Sequence, residues 1–204
     1  MRWTIGLSLI CFIGGGLVGG ILLVVRLVSP NRLGRLVRVY IQIFQGIPLL
    51  MQLFLSYFGL ALFGIKTTPL MAASLCLTLY GSAYLTEIWY GAVASISRHQ
   101  WEAGTSLALT FYQQLSHVIL PQALKVAIAP TVGFMVQAIK STALASVIGF
   151  VELTRTGQII VNVTFSPFLV YGSVALFYFF ICFPLSLWSR RLERRISRRA
   201  PAVS

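Results

Sequence analysis

Glu87, Glu102, Glu152 and Glu193 are the whole acidic complement of a 204-residue chain that carries sixteen Lys and Arg. No paired-carboxylate spacing, no serine–histidine–aspartate set and no GxxxxGK[ST] phosphate loop occurs, so nothing here is arranged to split a bond. The chain is expected not to be an enzyme by itself. His99 and His117 have no carboxylate or cysteine cluster around them, so no metal site is expected. Cys11, Cys76 and Cys182 lie in apolar runs without metal or redox spacing and read as small buried hydrophobes. What remains is Lys140, a cation inside an apolar run, with Ser141 and Thr142 beside it and Gln137 one turn before Ser141. A lysine at membrane depth is costly unless it is paired, lines a water-filled path or snorkels, which makes it a functional-site candidate. Glu87, an acid inside another apolar run, is its candidate partner and the one group a proton-driven carrier could use.

The elements that position these residues are membrane helices. Of the residues, 57% are apolar and 10% charged, and the mean hydropathy is +0.86. A crossing takes about 20 residues, which leaves no room for a sizeable soluble domain. We expect an all-α integral membrane protein, a single transmembrane domain over 1–204, with five spans at about 5–28, 37–63, 70–96, 118–150 and 168–188. In the first span Gly15 with Gly19, and Gly16 with Gly20, form small faces for close helix packing. Gly46 and Pro48 must break or kink the second. The net charge of +12 would suggest nucleic acid in a soluble protein. Here twelve of the sixteen cations fall inside if the amino terminus is outside: Arg26, Arg32, Arg35, Arg38, Arg98, Lys125 and six arginines of the tail 189–204. That satisfies the positive-inside rule, makes the tail a cytoplasmic anchor and argues against a nucleic-acid partner.

The connection 97–117, between the third and fourth spans, is helical in character but too polar to cross. Trp101, Ser106, Leu107, Leu109 and Phe111 could present an apolar and aromatic face of a short amphipathic helix, and Pro121 marks re-entry into the membrane. Lying on lipid would call for more cations than Arg98 and Lys125, so docking into a soluble partner is the better reading.

This stretch resembles the permease subunits of ATP-binding-cassette importers. Their motif, Glu-Ala-Ala, three residues, Gly, nine residues, Ile, one residue, Leu-Pro, is matched in register by Glu102, Ala103, Leu120 and Pro121. Gly104 stands for the second Ala, Ala108 for the Gly and Val118 for the Ile. The family's glycine permits a turn between two short helices that alanine disfavours, so Ala108 is the departure that bears on geometry. Val39 to Leu60 is similar to the Phe-Arg-Gly-Thr-Pro-Leu segment of the polar amino acid branch at Phe44, Gly46, Pro48 and Leu49. The stretches from Gly81 to Val93 and from Ala145 to Gln158 also resemble that branch, and the likeness runs from about Gly6 to Arg195.

The resemblance implies a type I importer permease of a bacterial cytoplasmic (inner) membrane, amino terminus outside and carboxyl terminus in the cytoplasm. It would move a polar amino acid of the histidine, glutamine, arginine or glutamate type. It implies a dimer of ATPase subunits carrying the ATP and Mg, a second permease, an extracytoplasmic solute-binding protein and no cofactor on this chain. Trp101, Glu102, Ala103, Gly104, Ala108, Leu120 and Pro121 would form the ATPase-coupling elbow, with capping of the helix start as the alternative role of Glu102. Glu87, Gln137, Lys140, Ser141 and Thr142 would line the substrate pathway, where a zwitterion needs a cation for its carboxylate. Gln45, Tyr90 and Ser141 stand where the branch has Arg, Arg, and Asp or Asn, which leaves both a homodimer and a heterodimer open. The rival readings are an ion-coupled secondary carrier, a membrane scaffold, and an importer permease for another solute such as methionine.

Overall fold

The computed structural model describes residues 1–197; the rest of the basic tail, with Arg198 and Arg199, lies outside the described residues. Helix α1 (Arg2–Val28) lies against α5 (Pro69–Ala94), and small residues decide how closely. A Cβ on Gly15 would sit 2.9 Å from the Gly81 carbonyl carbon, and one on Gly81 would sit 2.8 Å from the Cys11 carbonyl oxygen. Gly19 presses on the Ser82 carbonyl in the same way, whereas Gly16 and Gly20 meet Trp89 at 3.8 Å, an ordinary contact. One of the two expected small faces is therefore the packing face. Backbones this near exchange polar bonds: the Cys11 thiol donates to Leu77 O (3.1 Å), and the Thr86 hydroxyl lies 3.1 Å from Gly19 O. In lipid, where burial of apolar surface supplies no drive, such packing and bonding hold helices together.

The contacts advance along both helices in the same direction, so α1 and α5 are parallel and the chain must return between them. It does so through α2 (Arg32–Gly46), α3 (Leu49–Phe54), a π turn (Leu55–Gly59) and α4 (Leu60–Leu62). Pro48 breaks this passage as expected, with a bend of 102° between its halves. Gln52 repairs the break by donating to the carbonyls of Phe44 (2.8 Å) and Ile47 (2.7 Å).

After α5 come α6 (Arg98–Ser106), α7 (Phe111–Gln113), a π turn (Gln114–Ile119) and α8 (Leu120–Ser141). A 3-10 turn (Thr142–Ile148), α9 (Leu153–Thr164) and α10 (Pro167–Ser197) complete the described chain. Three stretches are long and apolar enough to cross a membrane, Arg2–Val28, Phe111–Ile148 and Pro167–Arg194, with the bent α2–α4 passage a possible fourth. Thr78, Ser82, Thr86 and Glu87 dilute α5 below that level. The chain is thus a multi-pass all-α membrane bundle in which three to four spans, rather than five, stand out by composition.

Pro121 does not interrupt the helix. The helix is continuous from Phe111, and the π turn before Pro121 absorbs its missing N–H. The connection 97–117 accordingly holds α6, a turn and the first residues of the helix that continues as α8. Helix α9, which hydropathy alone did not separate from its surroundings, is short and amphipathic. It lies near the start of α1, where Leu153 N–H bonds Thr4 Oγ1 at 3.1 Å and Trp3 meets Phe150 edge to face.

Candidate functional site

The expected site residues fall into two groups, one on the connection between α5 and α8 and one on the long helices. The first is the elbow between α5 and α8. Ser97 caps α6 by accepting the His99 N–H. At the other end the Leu109 N–H reaches Gly104 O (3.1 Å) and the Ala108 N–H reaches Thr105 O (2.9 Å), the paired bonds of a Schellman stop. That stop requires a left-handed residue between them, and Ala108 takes it, with φ +55°. The turn therefore exists despite the alanine, at a cost that glycine would not incur.

Thr110 then starts the next helix with a reciprocal capping box: Gln113 Oε1 accepts the Thr110 N–H (2.9 Å), and Thr110 Oγ1 accepts the Gln113 N–H. Trp101 and Phe111 stack across the elbow, with ring centroids 6.0 Å apart and planes 16° from parallel. Gln114 is buried beneath them and donates to Leu109 O (2.9 Å) and Thr105 Oγ1 (3.2 Å). Gly104 gives it room, since a Cβ there would lie 2.9 Å from Gln114 Cγ.

Trp101 also packs with Leu27, Ile96, Val118 and Leu120 around Val93, Leu115 and Ile119, which roots the elbow in α1, α5 and α8. Glu102 does not cap α6. Its exposed carboxylate faces Arg98 and His99 at 3.3 Å each, pairs that water screens. Ala103, Leu107, Ala108 and Pro121 are exposed with it. The single amphipathic helix expected here is a helix, a turn and a second helix, and Leu107 points outward while Trp101 points in.

The second group lies on the long apolar helices, and its five expected members do not form one cluster. Glu87 pairs with Arg26 of α1, not with Lys140. The Arg26 guanidinium also lies over the Tyr90 ring, 3.5 Å from its centroid. Arg26 is thus a buried residue of the last turn of α1 rather than a charge in a connecting loop. Ser141 and Thr142 are buried, and the Thr142 hydroxyl donates to Ile139 O at 2.7 Å. Gln137 and Lys140 are exposed. Lys140 opens on a groove of about 310 Å³ between α8 and α10, lined also by Tyr178, Phe179, Cys182, Phe183, Ser186 and Arg190.

Glu152, not among the expected site residues, has a structural role. It is 1% exposed. One of its oxygens accepts the Arg155 N–H at the start of α9 and the other accepts the Tyr178 hydroxyl of α10, both at 2.9 Å. Its place just ahead of the amphipathic 153–164 stretch was the available signal for a capping acid.

The chain is an all-α multi-pass bundle with an elbow rooted in three of its helices. Residues 15–198 match the family described as "Binding-protein-dependent transport system inner membrane component". The chain is 36% identical over 197 residues to the L-cystine transport system permease protein TcyB of Bacillus subtilis (strain 168), covering 96% of this chain and 84% of that one. It is 34% identical over 197 residues to the glutamine transport system permease protein GlnP of Escherichia coli (strain K12), covering 96% and 90%. It is also similar to a chain in the crystal structure of an amino acid ABC transporter with histidines, with TM-score 0.90, 32% identity and coverage of 96% and 91%. A chain of the inward-facing MetNI methionine ABC transporter shares the fold, with TM-score 0.77, 19% identity and coverage of 95% and 92%. The chain belongs to this family and is a permease subunit of an ABC importer.

Proposed function

We propose that this permease carries a polar amino acid or close analogue from an extracytoplasmic binding protein into the cytoplasm, and that a separate ATPase dimer grips its α6–α7 elbow. The carrying observation is the elbow itself. A left-handed stop, a capping box, a ring stack and a buried glutamine make Trp101 to Gln114 a stiff unit, and Trp101 ties that unit to α1, α5 and α8. Motion imposed on Glu102, Ala103 and Ala108 is then passed to the helix bundle as a rigid-body shift, with Gly104, Leu120 and Pro121 keeping the joint. The polar amino acid class is supported by the relatives named for cystine and glutamine.

Five crossings are part of this reading. Because α1 and α5 are parallel, α2–α4 must return the chain across the bilayer despite the bend. Ser82 and Thr86 of α5 are tolerated because neighbouring helices bury them, and Glu87 because Arg26 pairs with it. The amino terminus is outside, the elbow and α10's basic end are in the cytoplasm, the host membrane is a bacterial cytoplasmic membrane, and a second permease, identical or distinct, completes the path. The secondary-carrier reading is weakened because Glu87, the acid it would use, is held by Arg26.

The test is uptake by proteoliposomes holding the assembled importer. Glu102→Ala is expected to leave ATP hydrolysis running while solute uptake falls about tenfold or more, and omission of the ATPase is expected to abolish uptake. Uptake that survives without the ATPase and follows an ion gradient would replace this reading with the carrier.

A further inference from the structure

Charge at membrane depth is distributed unevenly in this chain. Glu87 is neutralised by Arg26, and both oxygens of buried Glu152 are engaged behind Tyr178. Lys140, by contrast, has no carboxylate within ion-pair distance among the described residues. It faces the groove between α8 and α10, which no Asp or Glu lines and which has Arg190 at its far end. Tyr178 and Arg190 are twelve residues apart on α10, so the groove runs about 18 Å along the helix axis. Tyr178, Cys182 and Ser186 lie along that length, with the Tyr178 hydroxyl donated to Glu152 and the Ser186 hydroxyl to the Cys182 carbonyl, so among the described residues the two cations are its free polar groups. An unpaired ammonium within the bilayer needs a wet path, an arriving anion or a reach to the interface by snorkelling, and the groove with Arg190 at its far end favours the first two. Ser141, the neighbour of Lys140, supplies no compensating negative charge and is itself buried.

We propose that the Lys140–Arg190 groove is the track for the solute's carboxylate, and that it makes this permease select neutral and acidic amino acids over cationic ones. The inference rests on the importer reading above and narrows its substrate class. A carboxylate is drawn to Lys140, and a neutral zwitterion places its ammonium group away from the groove. Lysine or arginine brings a second cation with no acid in the groove to receive it. At a few ångströms in a partly wet site, that repulsion is worth about tenfold or more in affinity.

The test is direct binding of glutamate, glutamine and arginine to the complex of this chain with its ATPase and partner permease, without the solute-binding protein, so that the permease's own preference is read. Glutamate and glutamine are expected to bind about tenfold or more tightly than arginine. Lys140→Gln should erase that margin, Lys140→Glu should reverse it, and Arg190→Gln should reduce it without reversal. Lys140 is exposed, so these variants keep the bundle, and a thermal melt like that of the parent verifies it. Equal binding of the three solutes, a preference unmoved by Lys140→Gln, or no binding of any of them overturns the proposal. ATP-dependent uptake of the importer's own solute, measured alongside, reports separately on the importer reading and survives if only the charge selection is wrong.

Discussion

Replacing Ala108 by glycine should stiffen the elbow. Ala108 holds φ +55° as the left-handed residue of the stop that ends α6. An L-residue with a Cβ pays about 1–2 kcal/mol for that conformation, a cost glycine avoids. Glycine also gains freedom in the opened state, which returns about 0.4–1 kcal/mol. The difference leaves a net gain of about 1 kcal/mol for Ala108→Gly, roughly a fivefold fall in the population of the opened turn. Hydrogen exchange of the chain in lipid nanodiscs measures this at the amides of residues 108 and 109, which bond the Thr105 and Gly104 carbonyls. After correction for intrinsic rates, both amides should exchange about three- to fivefold more slowly. Ala103→Gly supplies the opposite sign: this exposed residue lies within right-handed α6, where glycine costs about 1 kcal/mol and should speed exchange. Unchanged or faster exchange at residues 108 and 109 in Ala108→Gly would refute the reasoning.

Other outcomes follow from the helix contacts. Glu87→Gln should cost about 2–4 kcal/mol because it leaves the buried Arg26 without its anion, whereas Arg26→Gln frees a half-exposed carboxylate and should cost about 1–2. The double variant should recover part of the loss in thermal melts in detergent, and strict additivity would remove the pairing. Gly81→Val would drive a side chain into the Cys11 carbonyl and should lower the melting temperature by several degrees, while Gly91→Val, where a Cβ meets nothing within 4 Å, should not. Gln114→Ala strips the Leu109 carbonyl and Thr105 hydroxyl of their donor, so it should cost about 1–2 kcal/mol. It should raise exchange at residues 104–110 while leaving the α1–α5 contact unchanged.

Features written in neighbouring residues were legible without coordinates. The apolar runs announced a multi-pass bundle, Pro48 announced the break in the second passage, and Glu102, Ala103, Leu120 and Pro121 announced the elbow and its family. Each depends on backbone chemistry or on spacing within a turn or two. Even the conflict at Ala108 was visible, since the stop needs a left-handed residue whatever its type.

Tertiary structure decided which side chains meet. Glu87 looked like a partner for Lys140 because both lie in apolar runs, yet α1 delivers Arg26 from 61 positions away. The candidate pathway residues separated for the same reason: one turn of α8 sends Lys140 to α10 while Ser141 and Thr142 turn inward. The capping place of Glu152 could be read ahead of the 153–164 stretch, but its second bond exists only because Tyr178 of α10 rests on it. Local order follows from each residue's own φ, ψ and hydropathy, whereas the pairing of charges across helices depends on how backbones approach, and here the glycines of α1 and α5 set that distance.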